Sequence, residues 1–257
     1  MSKWFCVSWL ALCGLLLSLS APAREALDDA RQLVVVTTAD WNSVSGTLQR
    51  FERSTPQAAW MPAGPAFPIV VGKSGLAWGN GVVGNQRLDA APGDPIKREG
   101  DGKAPAGVFS LGTAFGYEPR ALTGSRMPYL PLSASMECVD DVNSRQYNRI
   151  VDRQHIGEPD WHSSEQMLRS DDLYHWGIYV DHNAKPVRPG GGSCIFLHVW
   201  RAAGSGTVGC TAMPKDDIEQ LLKWLDPAQS PRLVQMPRTQ YDRLRKALAL
   251  PELLTNR

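Results

Sequence analysis

The chain has 257 residues, 43% hydrophobic and 21% charged, and its 27 Lys and Arg against 26 Asp and Glu give a formal net charge of +1. No basic cluster stands out, which argues against a nucleic-acid partner. Nineteen prolines and 23 glycines imply many turns and favour a strand-rich fold over a helix bundle.

The first residues concern the compartment. Lys3 forms a positive start, Trp4 to Leu19 is apolar, and Ala21-Pro22-Ala23 supplies small residues before Arg24. That is the layout of a cleaved secretory signal, and the apolar run is shorter than the about 20 residues a membrane span needs. The expectation is a signal over 1–23 and a single domain over 24–257, with no stable membrane insertion and a periplasmic or otherwise exported location. Cleavage leaves 257 − 23 = 234 residues, with 26 basic and 26 acidic, enough for one sizeable core. Three cysteines remain, Cys138, Cys194 and Cys210. An odd count in an oxidising compartment leaves one thiol over; a Cys138–Cys194 bridge would leave Cys210 free, and all three reduced is the alternative.

"RQLVVVTTA" (31–39) and "SGTLQRFER" (45–53) read as a β-hairpin. "FPIVVGKSGLAWGNGVVG" (67–84) is extended and broken by glycines; a turn-rich link over 89–105 leads to a further strand, "AGVFSLGTAFG" (106–116). Residues 117–172 are polar and irregular, an insertion or lid with short helical patterns at 144–152 and 163–171. "HWGIYVDHN" (175–183) alternates like a strand, and "CIFLHVW" (194–200) is apolar on both faces, as a strand covered on each side is. Its alternation places Cys194, Phe196, His198 and Trp200 on one face. In "KDDIEQLLKWLD" (215–226), Ile218, Leu221, Leu222 and Leu225 recur at helical spacing, with Asp216 or Asp217 available as a cap and Pro227 as a stop. A last strand, "PRLVQMP" (231–237), precedes an amphipathic helix over 238–251. The fold class is α+β, mostly β, with its core over about 31–237.

Cys210 lies in "GSGTVGCTAMP". Glycines at 204, 206 and 209 permit close backbone approach and unusual dihedrals, and N–H groups gathered at such a turn can stabilise an oxyanion. A thiolate is the attacking form, and a neighbouring imidazole is the usual means of producing it. His198, at the end of a buried strand, is the best placed base. His155 and His162 fall in the polar insertion and should face solvent; His175 and His182 flank a strand. Metal chemistry has no support: there is no HExxH or CxxC, and no metal or other cofactor is expected. Ser205 sits in "GSG" but not in a G-x-S-x-G elbow.

Two stretches carry a resemblance. "GDGKAPAGVFSLG" (100–112) is similar to the TPxGxF segment of the L,D-transpeptidase (YkuD-like) family of bacterial cell-wall enzymes, with Ala104 where Thr is usual. "FLHVW" followed by "SGTVGCTAM" resembles that family's histidine and S/T-x-G-C motif. The resemblance implies a mixed β-sandwich catalytic domain with a cleft, the polar insertion as a lid and helices at the C-terminus. It implies Cys210 as nucleophile, His198 as base, the Val199 carbonyl orienting the imidazole, and Gly209 and Cys210 N–H groups as oxyanion hole. The implied reaction is attack after diaminopimelate in a tetrapeptide stem of peptidoglycan, loss of D-Ala, and transfer to an amine on a second stem. The same site used hydrolytically, as an L,D-carboxypeptidase or amidase, and a non-catalytic wall-binding module are the alternatives. The motif departs from the family pattern: Val208 replaces a second histidine and Ala212 a polar residue. Trp200, Arg201, Ser205 and Tyr179 are the further candidates for substrate contact, Arg201 as a substitute anion contact. Oligomeric state is left open.

Overall fold

The computed structural model describes residues 27–82, 90–120 and 124–254; the expected signal segment lies outside them. In chain order the strands are β1 (Gln32–Thr38), β2 (Ser45–Glu52), β3 (Met61–Pro62), β4 (Phe67–Val70), β5 (Leu76–Trp78), β6 (Ala104–Gly116) and β7 (Tyr129–Pro131). They continue with β8 (Met136–Val139), β9 (Arg149–Asp152), β10 (Ser164–Gln166), β11 (Trp176–Val180), β12 (Phe196–Val199) and β13 (Thr211–Met213). Helix α1 (Lys215–Trp224), β14 (Arg232–Pro237) and helix α2 (Arg238–Leu244) complete the order.

The main sheet runs β1-β14-β6-β11-β12-β13-β4-β2, and β2 pairs back onto β1. The two faces of the expected sandwich are thus joined along both edges. The seam between β13 and β4 is narrow, a single register pair of Ala212 with Val70. Burial explains the register of the hairpin: Leu33 lies opposite Phe51 and Val36 opposite Leu48, all four in the core. The extended piece after β4 breaks at Gly75, whose φ of +84° suits glycine and where a Cβ would lie 2.1 Å from the Trp41 carbonyl oxygen.

β12 is covered on both faces, as its apolar pattern requires. Leu197 and Val199 join the main core with Ile218, Leu221 and Leu222 of α1. Phe196, on the other face, joins a second apolar cluster with Phe115, Met167, Tyr174, Cys138, Cys194 and Cys210. That second cluster lies beneath a small antiparallel sheet, β10-β8-β9, built from the insertion. A Cys138–Cys194 disulfide ties β8 to the segment entering β12, and Cys210 is free and buried.

Three local expectations are corrected. The helical patterns at 144–152 and 163–171 give β9 and β10 instead. Asn148, at φ +64°, breaks the first pattern, and pairing with β8 overrides weak local propensity. α1 has no side-chain cap: Pro214 precedes it, and Asp216 and Asp217 sit in its first turn, where they complement the helix dipole. The C-terminal helix stops at Leu244 rather than 251. Beyond it the chain winds through turns, with Ala249 at φ +51° and Tyr241 Oη donating to the Pro251 carbonyl at 2.8 Å.

Candidate active site

β12 and β13 are parallel neighbours, with Leu197 beside Thr211 and His198 beside Ala212. Parallel strands need a long return connection, and here it is the glycine-rich loop from Trp200 to Cys210. The loop ends with Cys210 at the level of Phe196, whose N–H donates to Cys210 Sγ at 3.3 Å. The thiol donates in turn to the Cys194 carbonyl at 3.5 Å.

The three glycines of this loop have different reasons for being there. Gly204 has φ +74°, and a Cβ at Gly206 would sit 2.6 Å from Lys73 Cα. Gly209 has neither constraint; a Cβ there would make only ordinary contact, 3.4 Å to the Lys103 carbonyl oxygen. The loop is also sewn to the segment after β4: Thr207 N–H donates to the Val71 carbonyl at 3.0 Å and Lys73 N–H to the Thr207 carbonyl at 2.7 Å.

His198 is 6% exposed and Cys210 5%. His198 Nδ1 lies 2.7 Å from the Val199 carbonyl oxygen. A carbonyl can only accept, so Nδ1 carries the proton and Nε2 keeps its lone pair. The Tyr174 ring meets the imidazole edge-on at 5.2 Å. Burial lowers the His198 pKa to about 4 against the favourable carbonyls of Val199 and Leu173. Burial raises the Cys210 thiol well above its ordinary value, with the nearby Glu165 charge adding to the shift. Both groups are therefore uncharged at neutral pH, a thiol and an imidazole rather than an ion pair.

Cys210 stands where two cavities meet. The larger, about 520 Å³, is lined by Lys97, Glu99, Ser164, Cys194 and Gly209 among others. The smaller, about 260 Å³, is lined by His198, Tyr174, Arg201, Ser205 and Thr207 among others. Lys73, Glu165, Arg169 and Val208 border both. A cavity of about 970 Å³ between the start of the described chain, the β2–β3 region and the C-terminal turns holds neither Cys210 nor His198. Its Trp60 ring is already covered by Arg53 at 4.2 Å.

The structure brings Cys210, His198, Arg201, Ser205 and Gly209 onto this pair of cavities, and the Val199 carbonyl onto the imidazole. Trp200 and Tyr179 line neither cavity. Trp200 is held past the end of β12 by its N–H on the Met213 carbonyl, and Tyr179 Oη is spent on the Asn148 carbonyl and Oδ1 at 2.8 and 2.9 Å. The Gly209 N–H donates to Thr207 Oγ1 at 3.1 Å and so is already engaged in this state. Arg201 is largely exposed, its guanidinium 4.0 Å from Asp171. Val208 is 72% exposed and Ala212 fully buried, so of the two departures from the family motif only Val208 faces the cavities. His155 and His162 are exposed, as expected; His182 is buried between the Asn80 N–H and the Gly191 carbonyl.

Sequence reading missed Lys73, Glu165, Arg169 and Tyr174. Glu165 and Arg169 come from the insertion, where no periodicity marks them, Tyr174 from the short turn that follows it, and Lys73 from a short turn between two glycines.

The model of the YkuD family, the L,D-transpeptidase catalytic domain, matches residues 60–235. The chain belongs to the YkuD family of L,D-transpeptidase catalytic domains. No curated protein and no solved structure gave a significant match. YkuD domains act in general on the stem peptides of peptidoglycan and are typically exported cell-wall enzymes. The matched span includes β12, the glycine loop and β13, and also the insertion that supplies Glu165 and Arg169.

Proposed function

We propose that the protein is an exported peptidoglycan L,D-transpeptidase, one catalytic domain behind a signal segment, working through a Cys210 acyl-enzyme. The observation that carries this reading is the free thiol at the junction of two cavities, one of them lined by a neutral imidazole with its Nε2 lone pair available. The larger cavity suits the acyl donor, a stem peptide ending beyond diaminopimelate, and the smaller suits the amine that leaves or arrives.

Catalysis begins when the thiol turns from the Cys194 carbonyl toward the cavity. Its proton passes to His198 Nε2 as Sγ bonds to the substrate carbonyl carbon. The oxyanion is met by the Cys210 N–H, joined by the Gly209 N–H once that group leaves Thr207. Collapse breaks the C–N bond, and the departing D-Ala nitrogen takes the proton from His198. An acceptor amine then reverses these steps on the thioester, forming the new amide and restoring the thiol. Because both groups start neutral, acylation does not depend on a preformed thiolate.

The test is incubation of the protein with a disaccharide-tetrapeptide, with protein and products read by mass spectrometry. A cross-linked dimer is expected; a trimmed monomer would make water the acceptor, and unchanged substrate without adduct would leave a wall-binding module. A carbapenem should acylate the wild type and not Cys210→Ala; labelling that persists in the variant would remove Cys210 as nucleophile.

A further inference from the structure

Among the described residues, Glu165 is the only carboxylate that borders both cavities meeting at Cys210, and the only one that borders the cavity of His198. It is held on β10, paired with Cys138, so its backbone is fixed by a strand and by a neighbour in the disulfide. Both of its neighbours use one oxygen: Tyr174 Oη donates to Oε1 at 2.5 Å, and Arg169 Nη1 lies 3.5 Å from Oε1. Among the described residues, no hydrogen bond is made to Oε2. The other acids of the larger cavity do not reach the cavity of His198. Glu99 Oε2 accepts from the Tyr147 and Ser193 hydroxyls, and Asp140 accepts from Ser163 Oγ. Arg169 is itself shared, with Asp171 taking two of its hydrogen bonds at 2.8 and 2.9 Å.

The chemistry of the acyl-enzyme, on which this inference rests, says what such an oxygen meets. The leaving amine takes its proton from His198 and the arriving amine returns one to it, so both pass through the same cavity. An arriving alkyl amine is an ammonium at neutral pH, whereas competing water is uncharged. We propose that Glu165 Oε2 holds the ammonium of the acceptor beside the thioester, favouring amide formation over hydrolysis. The ammonium gives one proton to solvent, and the free amine attacks the thioester carbonyl. The second proton passes through His198 to the Cys210 sulfur as the C–S bond breaks and the C–N bond forms. Burial raises the Glu165 pKa, the signature of a carboxylate short of cationic partners, and an ammonium would reverse it.

The same cavity carries cations for the acceptor's own carboxylate. Lys73 has no ion pair among the described residues, and Arg201 is tied only at 4.0 Å to Asp171.

The experiment forms the acyl-enzyme from a tetrapeptide at pH 7 and measures the ratio of amide to free acid with two acceptors. D-methionine presents an ammonium, and methoxyamine is uncharged at that pH. Glu165→Gln, which can still accept from Tyr174, should lower the ratio with D-methionine by about tenfold or more, the loss of one charge-assisted hydrogen bond. With methoxyamine the ratio should stay unchanged; the ratio is read on acyl-enzyme already formed, so an effect of the Glu165 charge on the Cys210 thiol during acylation does not enter it. Glu165→Asp, which keeps the charge, should retain the preference for D-methionine. An unchanged ratio, or an equal fall with both acceptors, would overturn the assignment, as would equal losses in the Asp and Gln variants. Absence of any adduct on the wild type would overturn the acyl-enzyme reading beneath it, an outcome distinct from a thioester that forms and partitions without regard to Glu165.

Discussion

Thr207 grips the turn before Cys210 from both ends. Its hydroxyl donates to the Cys210 carbonyl at 2.7 Å and accepts from the Gly209 N–H at 3.1 Å. Its backbone, bonded to Val71 and Lys73, ties the same turn to the neighbouring segment. Thr207→Val keeps the branched shape and removes both side-chain bonds, at a cost of about 1–3 kcal/mol. Carbapenem acylation of that variant should fall by about tenfold or more, because small displacements of a nucleophile are expensive, while Thr207→Ser should stay near wild type. Equal acylation of Val and Thr proteins, followed by mass spectrometry over time, would show that the turn holds itself. At this scale the sequence was most readable where chemistry and chain order coincide. Cys210 and His198 belong to one uninterrupted stretch, and the glycines beside Cys210 announce a special turn. Glu165, Arg169 and Tyr174 carry no such mark. They reach the thiol only through the pairing of β10 with β8 and the apolar cluster under the insertion, and neither is written in local spacing.

The insertion acts as an element because it is fastened in two ways. The disulfide closes a span of 56 residues between β8 and the approach to β12. Asn148 fastens the far side: its side-chain nitrogen donates to the His182 and Asn183 carbonyls, and its Oδ1 accepts from the Cys194 N–H at 2.9 Å. The Asn148 φ of +64° is one that asparagine tolerates better than most residues. A cross-link over that span restricts the unfolded chain by about 4 kcal/mol. The double variant Cys138→Ser with Cys194→Ser should therefore unfold at a clearly lower denaturant concentration, and should acylate more slowly because the Cys194 carbonyl and Phe196 N–H both touch the thiol. A double variant as stable as the wild type would mean that Asn148 and the apolar cluster suffice. The helices expected at 144–152 and 163–171 belong to the same lesson. Short polar segments have little preference of their own, and the partner strand decides. The strands of the main sheet were readable because each carries enough β-branched and aromatic residues to declare a buried face.

For the molecule as a whole, acid is the informative variable. His182 and His198 are both held to about 4 by burial. The fold keeps them neutral, so between about pH 6.5 and 4 the unfolded chain binds more protons than the native one. Stability present above pH 6.5 is lost as pH falls through that window, by on the order of 3 kcal/mol for each histidine. Glu165 and Asp181, whose pKa values burial raises, run the other way and offset part of the loss. Below that window Asp160, held to about 2 by the Ser144 hydroxyl and by Arg145, gives up its own contribution as pH falls from its unfolded value of about 3.8. The urea midpoint should therefore drop between pH 7.5 and 4.5; a flat or rising midpoint would refute the neutral burial of the two histidines.

The closed sheet has a consequence in time. β1 lies between β2, its neighbour in sequence, and β14, which begins almost two hundred residues later at Arg232. During synthesis the hairpin is made early, but the gap between β1 and β6 stays open until the last strand emerges to fill it. Until then two long, apolar strand edges face water, and exposed edges recruit other chains. β14, which contributes no residue to the thiol's cavities, thus decides whether the polypeptide closes its sheet or is lost to self-association before its site is assembled.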